Sequence, residues 1–287
     1  VPFVFPLVYS TLGCPNWTLE QAADAAVANG YAGLEIRLLD GEIIPAALSP
    51  AQRAEVRQIM QGRGLRIAGL GASTRFTSQD ADERRANVME LRNYLQLANA
   101  LEAPMVRTFG GHIPEGATFD QAVDWVAEGI SAVIPDAERY GVAVMLETHD
   151  AFCRGADAAR VLAQVEHPRF QVIWDVHHPY RMGESIEETW RQVGERVGHV
   201  HLKDARRRDD GSWQLVLMGN GEVPNRAVIN LLRMHGYQGD LSIEWEKKWH
   251  PDIEEPEIAL PQHAQVVRNW MATDASTAPR PELAARQ

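Results

Sequence analysis

Cysteine is nearly absent: Cys14 and Cys153 are the only two in 287 residues, too few for a disulfide framework and in keeping with a reducing compartment. A cytoplasmic location is therefore expected. Long apolar runs are missing too. The stretch from Val1 to Val8 is about a third of the length that crosses a bilayer, and no basic segment precedes it as a secretory signal requires. It reads as a buried strand, and no membrane association is expected. Basic charge is in deficit, 28 Lys and Arg against 39 Asp and Glu for a net charge of −11, which repels phosphate backbones and anionic surfaces. Nucleic acid is not expected as a partner. A Pro/Gly/Ser-rich linker and an internal repeat are both lacking, which favours one large domain over two.

Apolar residues are plentiful, at 45% with 23% charged, enough for a sizeable core. Short apolar runs recur as candidate strands: Phe3 to Tyr9, Ala32 to Ile36, Leu65 to Leu70, Pro104 to Thr108, Val142 to Glu147, Gln171 to Asp175, His199 to Leu202 and Leu241 to Trp245. Segments of helical length and period lie between and after them, at 18–29, 50–63, 82–102, 118–140, 155–166, 184–195, 223–235 and 257–272. Thr18 with Gln21 forms a capping-box pattern, Asp82 precedes a leucine-rich helix, and Gly30, Gly64, Gly141 and Gly236 stand where helices should stop. This alternation predicts a single closed (β/α)₈ barrel over 1–272. A small hairpin is predicted after the seventh strand, around Arg206 to Leu217, and a frayed tail over 273–287.

In such barrels the reactive side chains come from the C-terminal ends of the strands. The last four strands supply Glu147, Asp175, His201 and Glu244 at or near those ends. Three converging carboxylates repel one another, and a bound divalent cation leaves the set near a charge of about −1. Oxygen-rich ligation with one imidazole suits Mn²⁺, Mg²⁺ or Co²⁺, with Zn²⁺ also compatible, and Mn²⁺ is the ion expected. His199 alternates with His201, and His201 is the nearer to the rim.

The runs Leu146-Glu147-Thr148-His149, Trp174-Asp175-Val176-His177-His178-Pro179, His199-Val200-His201-Leu202-Lys203-Asp204 and Ile243-Glu244-Trp245-Glu246 resemble the sugar phosphate isomerase/epimerase family, with its xylose isomerase-like barrel and its ketose 3-epimerases. The resemblance runs from the first strand to about Trp270. It implies one divalent ion held by Glu147, Asp175, His201 and Glu244, with Glu147 and Glu244 on opposite faces of the substrate as proton acceptor and donor. A metal-stabilised enediolate would link them, giving inversion or isomerisation according to which carbon is reprotonated.

It also implies substrate contacts from His178, three residues beyond Asp175, and from Arg207, six beyond His201. His149, Lys203 and Trp249 are further substrate-binding candidates, and Glu35, Arg37 and His112 are rim residues of lower rank. Glu35 has a bracing role as its alternative. Trp17, Phe76, Phe109, Phe152, Trp174 and Trp249 are candidates for walling the pocket, and at least half of them are expected in the core. Lys247 to Pro251 is a candidate lid.

One departure stands out: where the epimerases carry a second glutamate six residues beyond the first ligand, this chain has Cys153. The same barrel and metal would also serve a dehydratase of the 3-dehydroshikimate type, or a sugar-binding barrel without catalysis. A small carbohydrate or related polyhydroxy carbonyl compound is the expected partner, and a homodimer or homotetramer the expected assembly.

Overall fold

The computed structural model describes residues 4–275. Eight parallel strands close into a barrel in chain order: β1 (Leu7–Ser10), β2 (Gly33–Ile36), β3 (Arg66–Gly71), β4 (Met105–Thr108), β5 (Ala143–Glu147), β6 (Phe170–Asp175), β7 (Val197–Leu202) and β8 (Asp240–Ile243), which pairs back onto β1. Each overlaps one predicted run. The surrounding helices are α1 (Leu19–Ala28), α2 (Pro50–Gln61), α3 (Ala81–Ala100), α4 (Phe119–Tyr140), α5 (Gly155–Gln164), α6 (Ile186–Val193), α7 (Asn225–Met234) and α8 (Pro256–Ala275). The last helix runs to Ala275, past the predicted start of the tail, and 276–287 lie outside the described residues.

Local chemistry sets these boundaries. Thr18 and Gln21 close the predicted capping box, and Ser49, Thr118 and Ser185 do the same for α2, α4 and α6. The cap of α3 is Asp80, with Asp82 inside the first turn, because the Asp80 carboxylate accepts from the Asp82 N–H while its own backbone stays extended. Gly141 ends α4 at φ 70°, where a side chain would be strained.

Two structures were not foreseen, a short ribbon pairing Leu38–Leu39 with Glu42–Ile43 and a five-residue helix, His177–Arg181, directly after β6. After β7 the chain forms an antiparallel hairpin, Asp204–Arg207 with Trp213–Val216.

Because strand side chains alternate, the barrel divides its residues between two environments. Val106, Val144, Leu146, Val172, Trp174, Val200, Leu202, Leu241 and Ile243 join the large core between strands and helices. The intervening residues Met105, Ala143, Met145 and Ile173 form a separate apolar cluster. Gly69 of β3 admits this cluster, since a Cβ there would collide with Met105. Two residues further along each strand, the same alternation places Arg107, Glu147 and Asp175, so the polar end of the barrel stands on an apolar floor.

Two predictions follow from packing. Gly129 lies inside α4, where alanine normally adds about 1 kcal/mol of helix stability, but a Cβ there would run into the buried Phe76 ring. Gly129→Ala is expected to destabilise by about 1–3 kcal/mol, read from urea denaturation. His263 on α8 is buried against Trp245, and burial pushes its imidazole down to about 4 from an ordinary 6.5. The unfolded chain takes up a proton there that the folded chain refuses, so stability falls as pH drops from 6.5 towards 4. His263→Gln should flatten that limb by on the order of 3 kcal/mol, measured as unfolding free energy against pH.

Candidate metal centre

Glu147 ends β5, Asp175 ends β6, His201 lies in β7 and Glu244 follows β8 by one residue. One ligand atom from each lies within 4.8 Å of the others, and all four residues are buried. His201 Nδ1 is 3.4 Å from an oxygen of Glu147 and 3.4 Å from one of Glu244, yet it makes no hydrogen bond and is sealed from solvent. A buried nitrogen left without a partner among carboxylates fits a cation bound at their centre.

The other nitrogen explains why Nδ1 is available. His201 Nε2 donates to Glu35 Oε2 at 2.9 Å, and the same oxygen accepts from His199 Nε2 at 3.1 Å and Ser242 Oγ at 3.0 Å. An ionised carboxylate only accepts, so it fixes the proton on Nε2 and leaves the Nδ1 lone pair for a ligand. Glu35, ranked low in the sequence, therefore orients His201. Glu35, His199 and His201 also bring ligand atoms within 4.8 Å of one another, but these atoms are hydrogen-bonded to one another.

The second oxygens of the glutamates are held by separate cations. Arg107 Nη1 bonds Glu147 Oε2 at 3.0 Å, and Lys203 Nζ bonds Glu244 Oε2 at 2.6 Å. Lys203 also pairs with Asp175 at 2.8 Å and with Glu246. Arg107 and Glu246 were missed as members of the site. An arginine in the inward register of a strand, two residues past Met105, was the readable signal for the first. Glu246, two residues past Glu244, carried the same period-two signal.

Five carboxylates, Glu35, Glu147, Asp175, Glu244 and Glu246, thus contact, among the described residues, only two permanent cations, Arg107 and Lys203. The surplus negative charge appears in the titration of the group. Burial pushes Asp175 up to about 7, with Lys203 opposing and the charges of Glu244 and Glu147 adding to the rise. Burial would lower His201, but Glu244, Glu35 and Glu147 hold it well above the ordinary histidine range. Burial would raise Glu244, which His201 and Lys203 keep well below the ordinary carboxylate range. A proton on His201 is thus the substitute for a cation.

Around this group stands a run of rings. Arg107 lies over the Phe109 ring at 4.1 Å, Phe109 meets His149 at 4.7 Å, His149 meets His178 at 4.6 Å, and His177 meets Trp213 of the hairpin at 5.2 Å. His178 Nε2 is 3.5 Å from Asp175 Oδ2, and burial with the nearby Lys203 charge keeps the ring neutral, well below its ordinary range. Trp213 was read only as part of an alternating strand, and nothing in that pattern indicated its place beside His177.

The remaining predicted residues divide. Lys203 is 1% exposed and encased by carboxylates, whereas Arg207 is exposed on the hairpin opposite Trp213, and Trp249 is 51% exposed beyond β8. Arg37 is buried and donates to the Gly71 carbonyl, while the exposed His112 ring reaches Asp150 at 3.2 Å. Phe76, Phe152 and Trp174 belong to the core, and Trp17 packs against it. Lys247 is buried and bonds the carbonyls of Pro251 and Ile253, which pins the segment predicted as a lid. Cys153 is buried, its thiol donating to the Asp150 carbonyl at 2.8 Å.

If Glu35 orients the ligand nitrogen of His201, Glu35→Gln should weaken Mn²⁺ binding by about 10–100-fold, measured by isothermal titration calorimetry. Unchanged affinity would remove Glu35 from that role.

Among curated proteins, the chain is 25% identical to fructoselysine 3-epimerase of Escherichia coli O157:H7, over 82% of this chain and 88% of that one. It is 23% identical to inosose dehydratase of Bacillus licheniformis, over 92% of each. Among solved structures it superposes on the IolI protein with a bound zinc atom at a TM-score of 0.78 and 17% identity, covering 96% of this chain and 99% of that one. No helix among the described residues is long and apolar enough to cross a membrane. Residues 23–270 match the family described as the xylose isomerase-like TIM barrel, and the chain belongs to that family.

Proposed function

We propose that this protein is a divalent-metal-dependent epimerase or isomerase of a carbohydrate or a related polyhydroxy carbonyl compound. The observation that carries the reading is the pairing of the two glutamates. Each turns one oxygen towards His201 Nδ1 at 3.4 Å and gives the other to its own cation, Glu147 to Arg107 and Glu244 to Lys203. Glu147, Asp175, His201 and Glu244 would hold the ion. When bound it supplies a Lewis acid that polarises the substrate carbonyl and acidifies the adjacent C–H bond.

The chain's own residues handle the proton. When that C–H bond breaks, one glutamate takes the proton on Oε2, the oxygen turned away from the ligand cluster. The other glutamate must enter the reaction protonated; it delivers that proton from its own Oε2 and ends ionised, so the pair exchanges roles with each inversion. Delivery to the opposite face of the same carbon inverts it, and delivery to the neighbouring carbon isomerises the substrate. Arg107 is fixed in its charge and keeps Glu147 oriented, whereas Lys203, shared among three carboxylates, acts by holding them in place. His178 and His149 are assigned to substrate hydroxyls, with Arg207 and Trp249 further out, and the Phe109 ring offers an apolar surface for C–H groups. Fructoselysine 3-epimerase, named among the relatives, supports this class of reaction.

A dehydratase is the second reading, favoured by the likeness to inosose dehydratase over 92% of both chains and by Cys153, which leaves no carboxylate at the position where the epimerases carry one. Elimination needs the same abstraction of a proton beside a carbonyl, followed by loss of a neighbouring hydroxyl.

Incubation of the Mn²⁺-loaded protein in D₂O with ketoses, inosose and 3-dehydroshikimate separates the readings. Carbon-bound deuterium in an intact epimer or isomer, formed about 10²–10⁴-fold more slowly by Glu147→Gln, is the expected outcome. An enone product instead assigns the dehydratase. Binding of a sugar with no exchange at carbon would overturn both in favour of a binding barrel.

A further inference from the structure

Asp150 is one of three residues other than glycine with a positive φ among those described, at 50°. A left-handed conformation at a residue with a Cβ is unfavourable, and it persists only where the surroundings enforce it. Here they do. The Phe152 N–H bonds the His149 carbonyl, the Ala151 N–H bonds the Gly111 carbonyl, and the Cys153 thiol donates to the carbonyl of Asp150 itself. Glycine would meet the same backbone demand without strain, so the side chain needs its own explanation.

That side chain is 11% exposed, and Oδ1 takes His149 Nδ1 at 2.9 Å and His112 Nε2 at 3.2 Å. His149 is the residue it controls. An ionised carboxylate is an acceptor, so the bond at Nδ1 keeps a proton on that nitrogen whether the ring is neutral or charged. Nε2 is then the nitrogen left for a ligand, since it has no hydrogen-bond partner among the described residues. The ring is also fixed in rotation, standing between Phe109 at 4.7 Å and His178 at 4.6 Å.

We infer that Asp150 is a positioning residue, held in a strained turn so that it can lock the His149 ring with Nδ1 protonated and Nε2 presented to a hydroxyl of the substrate. The part that concerns substrate rests on the proposed function above. The part that concerns the ring does not, and the two can be tested apart.

The variants are Asp150→Gly, which suits the backbone and deletes the carboxylate, and Asp150→Asn, which tolerates the left-handed region and retains an oxygen able to accept from Nδ1–H. Long-range ¹⁵N–¹H spectra of the Mg²⁺-loaded full chain report which nitrogen of each neutral imidazole carries the proton, and His149→Gln identifies the signal. The wild type and Asp150→Asn should show His149 protonated on Nδ1. In Asp150→Gly the signal should shift to the Nε2–H form that an unrestrained imidazole prefers.

The melting temperature of Asp150→Gly should stay within about 3 °C of the wild type or rise, because relief of strain opposes the added freedom of the unfolded chain. On whichever substrate undergoes exchange, Asp150→Gly should lose at least about tenfold in kcat/KM, with Asp150→Asn recovering most of it. A purely structural role predicts the reverse pattern, a lower melting temperature with the His149 signal unmoved, and that result overturns the inference. An unmoved signal at unchanged melting temperature overturns it equally. If no substrate in the panel exchanges, the proposed function fails while the spectra still decide the role of Asp150.

Discussion

Four buried carboxylates, with a fifth, Glu246, half-buried beside them at one end of a barrel, are the constraint to which the surrounding residues answer. Burial of an unpaired charge costs several kcal/mol even after relaxation, so each acidic group needs a partner of defined geometry. Glu35 finds its partners in His199, His201 and Ser242, Glu147 in Arg107, and Asp175, Glu244 and Glu246 share Lys203. The partners leave a negative surplus, and His201 Nδ1, a buried nitrogen without a hydrogen bond that faces Glu147 and Glu244, marks where a cation would meet it. The order of dependence runs outward from the floor: Glu35 sets His201, His201 sets the point where Glu147 and Glu244 converge, and their outer oxygens set Arg107 and Lys203.

Much of this was legible in the sequence because two simple periods carry it. The alternation of strand and helix signals predicted eight barrel strands, and all eight are present, since apolar runs bounded by glycine stops have few other ways to bury themselves. The four ligand candidates were legible because each stands at or near the end of its run. The orientation of His201 was only half legible. The period of two placed His199 and His201 on one face, but their common acceptor, Glu35, comes from a strand more than 160 residues earlier, and no local pattern connects them.

The residues that were missed share a cause. Arg107, Glu246 and Trp213 enter the site through contacts between elements distant in the chain, and each has an ordinary local explanation. An arginine near a strand end has several carboxylates it could pair with until the barrel closes and gives it Glu147. A tryptophan in a hairpin reads as part of an alternating pattern until the short helix at His177–Arg181 brings a histidine against it. The cap of α3 failed for a different reason. Asp80 and Asp82 are two residues apart, and side-chain chemistry alone does not tell which of them leaves the helical conformation.

The hairpin after β7 is attached in a way that bears on how such a barrel changes over evolutionary time. The strand that carries His201 continues after Lys203 into Asp204, whose carboxylate accepts the backbone N–H groups of Ala205, Gly219, Gly221 and Val223. Both ends of the insertion are thus riveted at one buried carboxylate, and the intervening tip, with Arg207 and Trp213, hangs from that rivet without contributing a ligand atom to the metal group. Length and composition of the tip can therefore change without moving the four candidate ligands. A change at the tip and a change at the ligand group would thus be separate events, because no ligand atom hangs from the hairpin.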